Sequence, residues 1–125
     1  MKRLLLLGLA GAALAVPTGA TATPTGCWAT VKLSSLPTSL VWSVDVTPLQ
    51  HGRHLLPNAK PRIEIRPVSG GAWKVFKAKP TAKRGVFHAR VVFAAEGTWR
   101  YRVWDGFEPS CARYHSYAPV TLKEL

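Results

Sequence analysis

The sequence predicts an all-β domain: an immunoglobulin-like antiparallel sandwich of two sheets and about seven strands, preceded by a cleavable leader. Three observations predict it. From residue 27 onward apolar and polar residues alternate at period two, and no stretch carries a 3.6 period. Clusters of Gly, Pro, Ser and Asn punctuate these runs about every ten residues, the spacing of a sandwich with short strands. Cys27 and Cys111 bracket the region, an even count that reads as one disulfide in an exported chain. An open barrel is the alternative arrangement of the same strands.

The leader comes first. Lys2 and Arg3 precede an apolar run from Leu4 to Val16, the proportions of a signal peptide and too short for a permanent span. Ala20-Thr21-Ala22 fits the A-x-A cleavage rule. It divides the chain into a leader over 1–22 and a single domain over 23–125. Cleavage after Ala15 or Ala20 is also open. Gly26-Cys27 resembles the end of a lipoprotein signal, but the usual leucine is missing and the cysteine lies far beyond the apolar run. The mature chain is expected to be secreted or extracytoplasmic, monomeric and without a membrane span. Loss of Lys2 and Arg3 takes the formal net charge from +11 to about +9, which favours anionic partners.

Trp28 to Leu33 reads as the first strand, with Trp28 beside Cys27 and placed to pack on the disulfide. Ser39 to Thr47 reads as the second, with Leu40, Trp42, Val44 and Val46 on one face. Pro48 to Asn58 reads as a loop, because its bounding prolines cannot donate to a central ladder. Arg62 to Arg66 alternates, Ile63 and Ile65 inward, Arg62, Glu64 and Arg66 outward. Ser69-Gly70-Gly71 is a turn. Ala72 to Lys79 is a strand of unresolved parity, with either Trp73 and Val75 or Phe76 and Ala78 facing the core.

Gly85 to Asp105 reads as an antiparallel hairpin around Ala94-Ala95-Glu96-Gly97. Pairing Phe93 with Trp99 puts Val91 opposite Tyr101 and Ala89 opposite Val103 inside. The same register puts Arg90 opposite Arg102 and His88 opposite Trp104 outside. Facing arginines repel, a cost an anionic partner, Asp45, Glu64 or stacking on Trp104 would offset. A last strand is expected from about Arg113 to Leu122.

Across this hairpin a likeness appears. Ala78-Lys79-Pro80, Gly85-Val86-Phe87 and Gly97-Thr98-Trp99-Arg100-Tyr101, with Asn58 to Ile65 upstream, resemble the pattern of bacterial exported YtkA-like domains. The likeness covers roughly residues 40 to 104 and implies a sandwich fold. It also implies the copper-handling or respiratory-assembly roles associated with some such sandwiches. Copper roles often use methionine with histidine, and the one methionine here, Met1, belongs to the leader.

Candidate sites follow from residue chemistry. Arg90, Arg100, Arg102 and Trp104 form the expected anion-binding patch, suited to phosphate, sulfate or an acidic sugar polymer. His51 and His54 are the candidate ligands for copper or zinc, with Asp105, Glu108 or His115 completing the set. Trp104 and Phe107 form either an exposed platform or a plug over the sandwich end. Lys74, Lys77, Lys79, Lys83 and Arg84 make a second basic region, for which export argues against nucleic acid. No G-x-S-x-G, H-E-x-x-H or phosphate-cradling glycine loop is present, so no catalytic residue is expected. The reading is a non-catalytic accessory domain for an anionic envelope polymer or acidic protein. The alternatives are a metal-handling domain and a purely structural or assembly module.

Overall fold

The computed structural model describes residues 26–124; the expected leader and its cleavage site lie outside the described residues. These residues contain no helix, and so none long and apolar enough to cross a membrane. The strands are β1 (Cys27–Leu33), β2 (Val41–Gln50), β3 (His54–Leu55), β4 (Arg62–Pro67), β5 (Lys74–Lys77), β6 (Lys79–Pro80), β7 (Phe87–Val92), β8 (Gly97–Trp104), β9 (Tyr114–Ser116) and β10 (Val120–Leu122). They form two antiparallel sheets packed face to face, a β-sandwich. Sheet one runs β1-β2-β7-β6, with β3 also on β2. Sheet two runs β9-β8-β4-β5, with β10 also on β8.

The inward phases build the core as the alternation requires. Trp42, Val44 and Val46 from β2 and Ala89 and Val91 from β7 meet Ile63 and Ile65 from β4 and Trp99 and Val103 from β8. Trp42 is the wedge between the sheets. Its ring lies edge-on to Phe93 at 4.8 Å and to Tyr101 at 5.0 Å, and Phe93 meets Trp99 at 5.4 Å. Phe76 and Ala78 pack on this core, so the parity of the fifth strand is settled, and Trp73 and Val75 face outward.

The expected hairpin is corrected. β7 and β8 do not pair: β7 lies between β2 and β6, and β8 lies between β4 and the β9–β10 edge. The turn is an arch that carries the chain from one sheet to the other. Phe93 and Trp99 do touch, but across the sandwich rather than along one ladder. Arg90 therefore stands opposite Ser43, Arg102 opposite Glu64, and His88 opposite Asp45. The alternation of inward residues is the same in an arch and a hairpin. The charges are not, because the arch gives Arg102 a carboxylate where the hairpin gives it another arginine.

The Pro48–Asn58 loop is also corrected at its start. β2 continues through Pro48 to Gln50 and returns into β3 over the three residues His51-Gly52-Arg53, with positive φ at His51 (55°) and Gly52 (74°) and Arg53 N donating to the Gln50 carbonyl at 3.2 Å. Pro48 is tolerated because β7 pairing ends at Val46 and β3 pairing begins at Leu49, which leaves the missing N–H in a gap. The expected last strand is broken into β9 and β10 around Pro119. Trp28 is 54 % exposed and does not cover the disulfide, because strand alternation turns it to the face opposite Cys27.

Cys27 and Cys111 form the disulfide, joining β1 of sheet one to the segment between β8 and β9 across 84 residues. Both are buried in a second, smaller cluster with Leu56, Ala59 and Phe87. Replacing both cysteines by alanine is expected to cost about 4.5 kcal/mol, the loop-closure value for a ring of this size. Chemical denaturation of the parent and the double variant under non-reducing conditions measures it.

Candidate functional site

β4, β8 and β5 are twisted strands whose outward residues lie side by side in register. Arg62 stands between Lys77 and Trp104, Glu64 between Val75 and Arg102, and Arg66 is directly opposite Arg100. Tyr114 of β9 extends the first row beyond Trp104, and Trp73, just before β5, lies under Arg66. The outer face of sheet two thus collects four arginines and three aromatic rings around one carboxylate.

Glu64 organises it. The residue is on the outward phase yet only 3 % exposed, because its neighbours close over it. Arg102 donates from Nε (2.9 Å) and Nη2 (2.8 Å) to Glu64 Oε1. Arg62 Nε (2.7 Å) and the Tyr114 hydroxyl (3.1 Å) donate to Oε2, and Arg62 Nη2 donates to the Tyr114 oxygen at 3.0 Å. Burial pushes the carboxyl upward, but the bonds from Arg62, Arg102 and Tyr114 outweigh it and hold Glu64 below the usual carboxylate range. The same Glu64 bond, against the opposing effect of burial, holds Arg62 above the usual guanidinium value.

The rings complete a ladder. The Arg102 guanidinium is sandwiched between Trp73 (4.0 Å) and Tyr114 (3.8 Å). Arg66 lies 4.5 Å from the other end of the stack, over Trp73, and Arg62 lies 4.8 Å from Trp104, whose ring meets Tyr114 at 4.7 Å. Cation and ring alternate from Arg66 through Trp73, Arg102, Tyr114 and Arg62 to Trp104. Each such contact contributes about 0.5–1 kcal/mol when partly exposed.

The two ends of the ladder differ. Arg62 and Arg102 share one carboxylate. Arg66 and Arg100 face each other with no carboxylate in an ion pair with either among the described residues. The Arg66 Nε is buried and has no hydrogen-bond partner there. Two arginines in register without a carboxylate between them favour an anion that brings its own charge.

Beyond the Trp104 end lies a cleft of about 920 Å³, whose lining includes Lys60, Lys77, Lys79, Phe87, Trp104 and Phe107. Trp104 and Phe107 are thus walls of a cleft, neither a bare platform nor a plug. Gly106 makes the bend: its φ of 73° and its close approach to the Lys60 carbonyl leave no space for a Cβ, and its own carbonyl accepts from Lys60 N at 2.9 Å.

The residues of the expected patch divide between two sheets. Arg100, Arg102 and Trp104 share the outer face of sheet two, while Arg90 is exposed on that of sheet one. Arg102 is a tied residue rather than a free cation. Arg66, Trp73 and Tyr114 are not among the expected site residues, and Glu64 enters the sequence reading only as a carboxylate able to offset facing arginines, although the Arg62-Glu64-Arg66 alternation puts two ladder cations and that carboxylate on one face. His51 and His54 stand 6.3 Å apart between ring centroids, with Arg53 Nε 3.5 Å from His54 Nε2. Asp105 and His115 bond each other instead, at 3.0 Å, and Asp105 also accepts from Arg113 N. No group of three or more His, Cys, Asp or Glu suited to a metal occurs among the described residues.

Comparison of the chain with protein-family models, with curated proteins and with solved structures gave no match in any of the three.

Glu64→Gln is expected to lower stability at neutral pH by about 2 kcal/mol, below the full cost of breaking a buried pair because both arginines reach solvent. The difference has a defined pH dependence. Glu64 titrates lower folded than unfolded, so its contribution is whole above about pH 4.3 and is lost as pH falls through the depressed folded value. Denaturation midpoints of parent and variant should separate at pH 7 and converge near the acid limit.

Proposed function

We propose that this chain is an exported, non-catalytic accessory domain that binds an anionic partner, a cell-envelope polymer or an acidic protein, through the outer face of sheet two. The observation that carries the reading is the Arg66–Arg100 pair. Two arginines stand directly opposite in register on neighbouring strands, an arrangement that costs a sheet some tenths of a kcal/mol. The pair next to them is neutralised by Glu64, and this one is left unmatched with a buried donor unused. A phosphate, sulfate or carboxylate bridging the two arginines would supply the missing charge.

The remaining support is general. The net charge near +9 after loss of the leader draws anionic surfaces to the domain. The leader-like N-terminus and the buried disulfide suit an oxidising compartment. The resemblance to exported YtkA-like domains agrees with an accessory role. The Trp73 ring, 4.5 Å from the Arg66 guanidinium, restricts that side chain, so less side-chain freedom is lost when an anion arrives.

The test is retention on a sulfated or phosphorylated matrix as salt is raised. The parent is expected to elute late and in a salt-dependent manner. Arg66→Glu with Arg100→Glu should elute far earlier, beyond what the same charge change does at Arg90→Glu with Lys83→Glu. Equal elution of the two double variants would reduce the interaction to net charge and remove this face as the site.

A further inference from the structure

Each sheet has two outer edges, and three of the four are guarded. The β6 edge is two residues long and contains Lys79 and Pro80. The β5 edge carries Lys74 and Lys77. The β9–β10 edge consists of two three-residue pieces interrupted at Pro119. Lysines, prolines and short lengths are the usual means of keeping an edge from pairing. The β1 edge has none of these means in its middle. It is seven residues long, Cys-Trp-Ala-Thr-Val-Lys-Leu, with no proline and one cation, Lys32, near its end.

The direction of its main chain is fixed by two bonds. His51 N donates to the Gly26 carbonyl and Ser34 N to the Ser43 carbonyl. Even-numbered residues therefore aim their amides and carbonyls at β2, and Cys27, Ala29, Val31 and Leu33 aim theirs outward. Among the described residues no strand pairs with that side. A groove of about 530 Å³ runs along it, lined by Trp28 to Val31 from β1 and His115 to Tyr117 from β9.

We infer that this edge pairs with the β1 edge of a second copy, joining the two first sheets into one continuous antiparallel sheet. The strand is its own complement. Centred on Thr30, the antiparallel register sets Thr30 against Thr30, Ala29 against Val31 and Cys27 against Leu33, so every outward amide meets an outward carbonyl. On the solvent face it sets each exposed Trp28 against the partner's Lys32, a cation–π pair made twice by the two-fold. Both copies lose 54 %-exposed indole surface. The repulsion between two basic chains opposes the contact, but Lys32 has Asp45 opposite it on β2, and the unmatched arginines lie on sheet two. Salt screens that repulsion, so pairing strengthens with ionic strength, whereas anion binding weakens.

Thr30 is exposed and points away from the core, which makes it a clean position for the test. Light scattering on the parent, from micromolar to millimolar in high salt, is expected to show mass rising two-fold. Thr30→Lys and Thr30→Glu, each placing like charges across the two-fold, should both remain at single-copy mass. An equimolar mixture of the two should return to the doubled mass, which also establishes that both variants are folded. A parent that stays at single-copy mass throughout overturns the inference. So do single variants that still dimerise, or a mixture that does not recover.

Discussion

One buried carboxylate sets the geometry of the outer face of sheet two. Glu64 sits where β-strand alternation would leave it in water, and it is dry because two guanidiniums and a phenol close over it. A carboxylate in that position is tolerable only when its acceptor sites are occupied, and here both oxygens receive two donors. Satisfying Glu64 fixes Arg62 and Arg102, and fixing Arg102 gives Trp73 and Tyr114 a cation to stack on. Those rings come from outside the central pair of strands, one preceding β5 and one in β9. The carboxylate therefore orders side chains from four segments of sheet two.

The same carboxylate helps to explain why the chain arches where a hairpin was expected. Between Phe87 and Trp104 the inward residues are identical in either topology, so hydrophobic burial alone cannot choose. Folded as a hairpin, Arg90 would face Arg102. Folded as an arch, Arg102 faces Glu64 and His88 faces Asp45, with a 2.9 Å contact between His88 Nδ1 and the Asp45 carboxylate. Trp42 adds to this choice from the inside. Its ring needs partners from both sheets, and the arch places Phe93 on one edge and Tyr101, in the opposite sheet, on another.

What the sequence made legible was whatever depends on period two. The all-β class, the inward phases of Trp42, Val44, Val46, Ile63 and Ile65, and the pairing of Cys27 with Cys111 all follow from alternation or from cysteine count. Which sheet a strand joins does not follow, because a strand presents the same two faces to any neighbour. The repulsion between Arg90 and Arg102 was a visible sign that the hairpin register was costly, and the carboxylate able to relieve Arg102 sat in the Arg62-Glu64-Arg66 run. Trp73 was hidden for a different reason: Phe76 and Ala78 share its strand with the opposite parity, and only packing decides between them. The four-residue patch could not survive this, since its unity rested on the register.

The two ends of the sandwich are held by different means. At the arch end, Trp42, Phe93, Trp99, Tyr101 and Tyr117 form a continuous aromatic cluster, with Tyr101 and Tyr117 stacked at 5.0 Å. At the far end the buried residues are few: Ala59, Leu56 and Phe87 around the disulfide. A domain of this length has little apolar surface to spare, and the covalent link holds the sheets where side chains do not fill the gap. That economy leaves Phe107 and Trp104 only half-buried beside Lys60, Lys77 and Lys79, with the cleft between them. An open, cation-rimmed hollow there is thus a consequence of closing that end with a bond rather than with bulk. The Arg66–Arg100 pair lies towards the arch end, on the better-packed half of the sheet. A rigid aromatic core beneath those arginines keeps their spacing fixed, which is what recognition of an anion by two separate forks requires.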